Sequence, residues 1–166
     1  MTAHAESTAN GWVLVLERQL RHPPAAVWAA LTEPGQLGQW APFTTERSLA
    51  EPGDLTLTMI DDDSRTDLPA TVTKADPPTL LEYTWGDDLL RWELAPIPGG
   101  TRLTLRHRVG DQGDLARAAA GWHLCLDVAE HLLDGDPVPP IRGREAMDHG
   151  WQALHDRYVV ELGASG

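Results

Sequence analysis

The fold turns on LARAAAGWHLCLDVAEHLL, residues Leu115 to Leu133. Leu115, Ala118, Ala119, Trp122, Cys125, Leu126, Ala129, Leu132 and Leu133 recur at helical intervals and form one apolar stripe. Asp111 to Asp114 offers carboxylate caps ahead of the stretch. Pro137, Pro139 and Pro140 end it, because proline has no N–H to continue the hydrogen-bond ladder. A helix with a wide apolar stripe needs a surface to bury it, and the preceding residues supply one.

Those residues alternate with period two, the signature of strands with one buried face. Leu14, Leu16, Arg18 and Leu20 share a face in the first. Phe43 to Leu49 reads as a second. Leu55, Leu57 and Met59, then Leu68, Ala70 and Val72, then Leu81, Tyr83 and Trp85 mark the next three. Leu90, Trp92 and Leu94, and Leu103, Leu105, His107 and Val109, complete the series. Turns punctuate it at Pro52-Gly53, Asp61 to Ser64, Asp76-Pro77-Pro78, Gly86-Asp87-Asp88 and Pro98-Gly99-Gly100. Such short connections make neighbours antiparallel, since parallel pairs need a long crossover. After the first strand, Pro23-Pro24 opens a short helix carrying Val27, Trp28 and Leu31, and a second runs from Gly35 to Trp40. A last helix, Arg144 to Leu162, carries Met147, Trp151, Leu154, Tyr158 and Leu162 on one face. The expected architecture is α+β: a curved antiparallel sheet of six to seven strands wrapped around the long helix, in a single domain over residues 12–163. Residues 1–11, small and polar, are expected as a flexible tail.

Composition narrows the function classes. The chain has 166 residues, enough for one domain with a sizeable core. Its net charge of -12 repels phosphate backbones and anionic lipid, so neither nucleic acid nor membrane is expected as a partner. The single Cys125 excludes an internal disulfide and a Cys-rich zinc site. No charged-then-apolar leader and no spanning apolar run is present, which gives a cytoplasmic expectation. Seven Trp against one Phe put the large apolar volume into indoles.

The order strand, two short helices, six strands, long helix is similar to the START-like helix-grip fold of the SRPBCC superfamily. RHPPAAVWAALTEPGQLGQW (Arg21 to Trp40), LLEYTW (Leu80 to Trp85), GGTRLTLRH (Gly99 to His107) and GWHLCLD (Gly121 to Asp127) resemble, in the same order, the homologues of the activator of the heat-shock-protein-90 ATPase. The resemblance covers about Trp12 to Leu133. The sequence departs from it at Pro52-Gly53-Asp54-Leu55, where the family often has Gly-Gly and an aromatic. It implies an apolar ligand cavity between sheet and helix, and no shared catalytic set.

The ligand-contact candidates are Met59, Tyr83, Trp85, Trp92, Leu105 and His107 from the sheet, and Trp122 and Leu126 from the helix. The plainer reading is that these side chains fill the core. His107 is the one inward imidazole. It could orient a ligand or take a proton, or rest against a nearby hydroxyl or carboxylate near the sheet's end. Arg18 is expected to face inward and pair with Glu82 or Glu93. His123, Asp127 and His131 lie on one helical face, but i and i+8 are ~12 Å apart along the axis, too far to share one metal. That face reads as solvated. Asp61, Asp62, Asp63 and Asp67 lack the glycine and terminal glutamate of a calcium loop, and Cys125 reads as a small core residue. No phosphate-loop, dinucleotide, Gly-x-Ser-x-Gly or His-Glu-x-x-His motif occurs.

The expected function is therefore a non-enzymatic domain that holds a small hydrophobic molecule, with no cofactor and no metal. An alternative is a cyclase, dehydratase or hydrolase using His107 and Tyr83. A chaperone co-regulator ranks third, because the namesake's additional chaperone-binding domain has no counterpart here, and a chaperone partner is not expected. A homodimer is compatible with this reading.

Overall fold

The computed structural model describes residues 1–163. One antiparallel sheet holds eight strands: β1 Thr2–Thr8, β2 Gly11–Leu20, β3 Phe43–Thr45, β4 Gly53–Asp61, β5 Ser64–Asp76, β6 Leu80–Trp85, β7 Asp88–Ile97 and β8 Gly100–Val109. Their spatial order is β1-β2-β8-β7-β6-β5-β4-β3. The helices are α1 Pro24–Thr32, α2 Pro34–Leu37, α3 Asp114–Leu133, α4 Glu145–Asp148 and α5 Trp151–Leu162. The architecture is the helix-grip arrangement read from the sequence, with one strand more than expected.

That strand is β1. Thr2 to Thr8, expected as a tail, pairs along its length with β2, from Thr2 opposite Glu17 to Thr8 opposite Gly11. The stretch has no large apolar residue, so its pairing rests on backbone hydrogen bonds. Ala3 and Ala5 pack against the core's margin. The strand expected over Phe43 to Leu49 stops at Thr45, because Arg47 turns inward on the loop that follows. Its guanidinium donates to the carbonyls of Ser48, Glu51, Gly53 and Asp54 at 2.7–3.4 Å. The last helix is divided into α4 and α5 by Gly150, whose φ of 84° lies in the left-handed region. Met147, expected on its apolar face, is exposed.

Register explains the core. Leu14, His107, Leu90, Tyr83 and Val72 stand opposite one another across β2, β8, β7, β6 and β5. Residues directly opposite share a face, so this row points one way, toward α3. A second row on the same face runs through Leu16, Leu105, Trp92 and Leu81. All nine side chains are buried. α3 is buried on more than its single apolar stripe, since Ala116, Ala120, Leu124 and Val128 are also covered. The reason is that α1 and α5 pack on the helix in addition to the sheet.

Candidate functional site

The space between sheet and α3 is filled at one end and open at the other. Indoles and phenyls close the filled part. Trp40, from the turn after α2, meets Trp92 edge-on at 5.9 Å between ring centres, and donates its Nε1–H to the Ala30 carbonyl at 2.9 Å. Trp92 meets Trp122 edge-on at 5.4 Å. Phe43 lies 5.2 Å from Trp85 and 6.2 Å from Tyr83. Edge-to-face pairs of this kind each add about 0.5–1.5 kcal/mol beyond their buried area.

The open part is a cleft of about 530 Å³. Its sheet wall carries Met59, Trp85, Asp88 and His107. Its helix wall carries Ala118, Gly121, Trp122 and Cys125, and its outer wall carries Ile141, Arg142, Gly143 and Trp151. The room follows from the helix sequence. Ala118 and Gly121 are small where α3 faces this end of the sheet, and a Cβ added at Gly121 would meet nothing within 4 Å.

A short polar chain runs through the wall. Asp88 lies two residues from Leu90, the partner of His107, so it is the diagonal neighbour of His107 on the same face. His107 Nε2 and Asp88 Oδ2 are 2.7 Å apart. Trp122 donates its Nε1–H to His107 Nδ1 at 3.0 Å. An indole N–H can only donate, so Nδ1 accepts and the ring proton sits on Nε2, directed at Asp88. Both imidazole nitrogens are therefore occupied. Met59 is fixed on the same wall by the indole of Trp85, whose Nε1 lies 2.8 Å from Sδ.

The outer wall is a cap made by the segment after α3, and two contacts seat it. Arg142 donates from Nε to the Ala41 carbonyl at 3.1 Å, and from Nη2 to the Gly38 and Ala41 carbonyls at 2.7 and 2.9 Å. Burial lowers its pKa from the ordinary arginine value. At the β4–β5 hairpin tip, Asp62 Oδ1 accepts the Arg144 backbone N–H at 3.0 Å. Gly143, with φ of 60°, passes so near this tip that a Cβ there would lie 2.5 Å from Asp62 Oδ1. Behind the cap, burial pushes the Cys125 thiol up to about 12, so it is a poor nucleophile.

Of the eight candidates, the structure brings Met59, Trp85, His107 and Trp122 together on the cleft wall. Tyr83, Trp92, Leu105 and Leu126 lie in the filled core. Tyr83 is fully enclosed, its hydroxyl 3.3 Å from Trp92 Nε1, and burial raises its pKa well above the ordinary phenol value. The reason is Trp40, from the turn after α2, and Phe43, at the start of the edge strand β3, which occupy the space beside them. Arg18 points inward as expected but reaches α3. It donates to Asp127 at 2.7 Å and to Glu130 at 3.1 Å, and not to Glu82 or Glu93. On the face expected to be solvated, His131 is exposed, but His123 is covered by α5, its Nδ1 2.7 Å from the Tyr158 hydroxyl. Among the described residues no group of three or more His, Cys, Asp or Glu could hold a metal ion. No helix among the described residues is long and apolar enough to cross a membrane. The cap residues and Asp88 were not among the sequence candidates. Asp88 had a usable signal, its place across a two-residue turn from Trp85, whereas the cap follows a proline-rich loop with no periodicity.

Comparison with known proteins gives one family. The profile described as Activator of Hsp90 ATPase homolog 1-like protein matches residues 21–134. Similar solved structures include CalU16 from Micromonospora echinospora, at 17% identity and a TM-score of 0.69, covering 96% of this chain and 95% of that one. A conserved protein of unknown function from Enterococcus faecalis is 18% identical with a TM-score of 0.72, covering 97% and 90%. A protein from Mesorhizobium loti is 27% identical with a TM-score of 0.62, covering 76% of this chain and 99% of that one. No curated protein matches the chain.

Proposed function

Since the chain belongs to the family of Activator of Hsp90 ATPase homolog 1-like proteins, we propose that it binds a small apolar or aromatic molecule in the cleft between its sheet and α3. The observation that carries this reading is the cleft itself. Its volume of about 530 Å³ falls within the range of small-molecule sites. Its wall combines two indoles, Trp85 and Trp122, and a thioether, Met59, with a few polar groups at fixed positions. That composition suits a ligand with a flat or flexible apolar body.

Two observations speak against the catalytic alternative. His107 has no free nitrogen, so taking a proton at Nδ1 would require breaking its bond to Trp122. Tyr83 sits in the filled core, away from the cleft, with burial favouring its neutral form. A general base and acid need a free group within reach of the substrate; His107 lines the cleft with both nitrogens engaged, and Tyr83 does not line it. The family's name by itself assigns no chaperone role to this chain.

Native mass spectrometry of the protein purified from its own host tests the proposal, with a co-purifying small molecule as the expected result. Failure of a broad lipid and aromatic metabolite library to bind, with nothing co-purifying, would sink it.

A further inference from the structure

The cleft contains one cation whose charge the protein leaves unanswered. Arg142 is half-buried on the outer wall. Among the described residues its partners are the Gly38 and Ala41 carbonyls alone, reached through Nε and Nη2. These are dipoles and not charges. No carboxylate among the described residues comes within 4.0 Å of its guanidinium. The other charges at the cleft are engaged or at its rim. Asp88 is bound to His107, and Asp114 to Arg117 at 2.9 Å. Asp61 is exposed on the hairpin tip.

Nη1 of Arg142 makes no hydrogen bond among the described residues. It is also not sealed in protein, because every fully buried side-chain nitrogen or oxygen there has a partner. The guanidinium is thus anchored along one edge, with a pair of N–H groups left over. Arg117, the other arginine at the cleft, is paired with Asp114, whereas Arg142 is held by carbonyls alone. A half-buried cation gains most from a counter-anion that also satisfies its remaining donors, and a carboxylate fits that geometry.

We propose that the ligand of this cleft is an organic acid, an apolar or aromatic body bearing one carboxylate, and that Arg142 receives the carboxylate through Nη1 while the body lies against Trp85, Trp122 and Met59. This rests on the ligand-binding reading above. Arg142 then has two tasks. Nε and Nη2 seat the cap on the turn after α2, and Nη1 selects the ligand's charge.

The test compares matched probes that differ only in charge: 2-naphthoic acid with 2-naphthamide, and octanoic acid with octanamide. Each is titrated calorimetrically into the wild-type protein at low salt and pH 7.5. In at least one pair the acid is expected to bind about tenfold tighter or more, and Arg142→Gln should bring that ratio to about one. Because Arg142→Gln also loosens the cap, the Arg142 side-chain N–H resonance is followed in wild-type protein as an independent readout. It should shift with the acid and not with the amide. Equal binding of acid and amide in both pairs, an acid preference that survives Arg142→Gln, or an unmoved Arg142 resonance would overturn the proposal and leave ligand binding intact. If no probe binds, including the neutral N-phenyl-1-naphthylamine, both the proposal and the ligand-binding reading fall.

Discussion

Replacing Trp122 by Phe tests the polar chain behind the cleft wall. The indole N–H is the only donor to His107 Nδ1, at 3.0 Å, and both residues are 3% exposed. Phe removes the donor and keeps most of the ring. A buried acceptor left without a partner costs about 1–3 kcal/mol. The lost indole volume, which meets Trp92 at 5.4 Å and Trp85 at 5.7 Å, adds about 1 kcal/mol. Trp122→Phe should therefore destabilise by about 2–4 kcal/mol. The double variant Trp122→Phe/His107→Leu removes donor and acceptor together. It releases only Asp88, whose side chain is 33% exposed and can be hydrated. The penalty of the orphaned acceptor disappears, so the double variant should be more stable than Trp122→Phe by about 1 kcal/mol or more. Urea unfolding followed by far-UV circular dichroism reads this directly, since a lost tryptophan complicates fluorescence. A double variant no more stable than Trp122→Phe, or a single-variant cost below about 0.5 kcal/mol, would refute the reasoning.

Three further outcomes follow. Burial lowers the pKa of His123 from 6.5, against the opposing pull of Asp127; the unfolded chain then takes up the proton first, so this residue's contribution is present above pH ~6.5 and is lost as pH falls through the folded value. Urea midpoints at pH 7.5 and 5.5 should therefore differ more in the wild type than in His123→Gln, with the wild type losing stability at the lower pH. Gly143→Ala places a methyl 2.5 Å from Asp62 Oδ1 at a φ of 60° and should cost more than about 1 kcal/mol, with trypsin cutting faster at Arg142 and Arg144 as the cap lifts. With its thiol pushed up to about 12 by burial, Cys125 should react with iodoacetamide about a thousandfold more slowly in the folded protein than in urea, as mass spectrometry over time would record.

The sheet and its central helix were legible because both depend on periodicity, which a sequence carries in full. Alternation at Leu81-Tyr83-Trp85 and Leu90-Trp92-Leu94 fixes which side chains point inward, and the observed register agrees. β1 was illegible for the converse reason. Thr2 to Thr8 has nothing large to alternate, and an edge strand held by its backbone leaves little trace in side-chain type. Asn10-Gly11 was the available cue, as a turn dipeptide just ahead of a strand. The cleft was half legible. Alternation identified inward residues, and it could not distinguish the four that line open space from the four that are packed. That division depends on Trp40 and Phe43, whose positions follow from the path of the chain after α2. For His107 a hydroxyl and a carboxylate were both open as partners, and Asp88 is the one present; Trp122 as its donor was not foreseen, because the two are 15 residues apart and on different elements.

The cap has a consequence of a different kind. The family profile ends at residue 134, yet Ile141, Arg142, Gly143 and Trp151 form the outer wall of the cleft. The ceiling thus lies outside the stretch that the profile matches. Each joint between ceiling and grip pairs one side chain with main-chain groups, the Arg142 guanidinium with the Gly38 and Ala41 carbonyls and the Asp62 carboxylate with the Arg144 N–H. For the ligand proposed above, selectivity can change in the residues after α3 while the packed interior stays as it is, and two chains with the same sheet and helix need not admit the same guest.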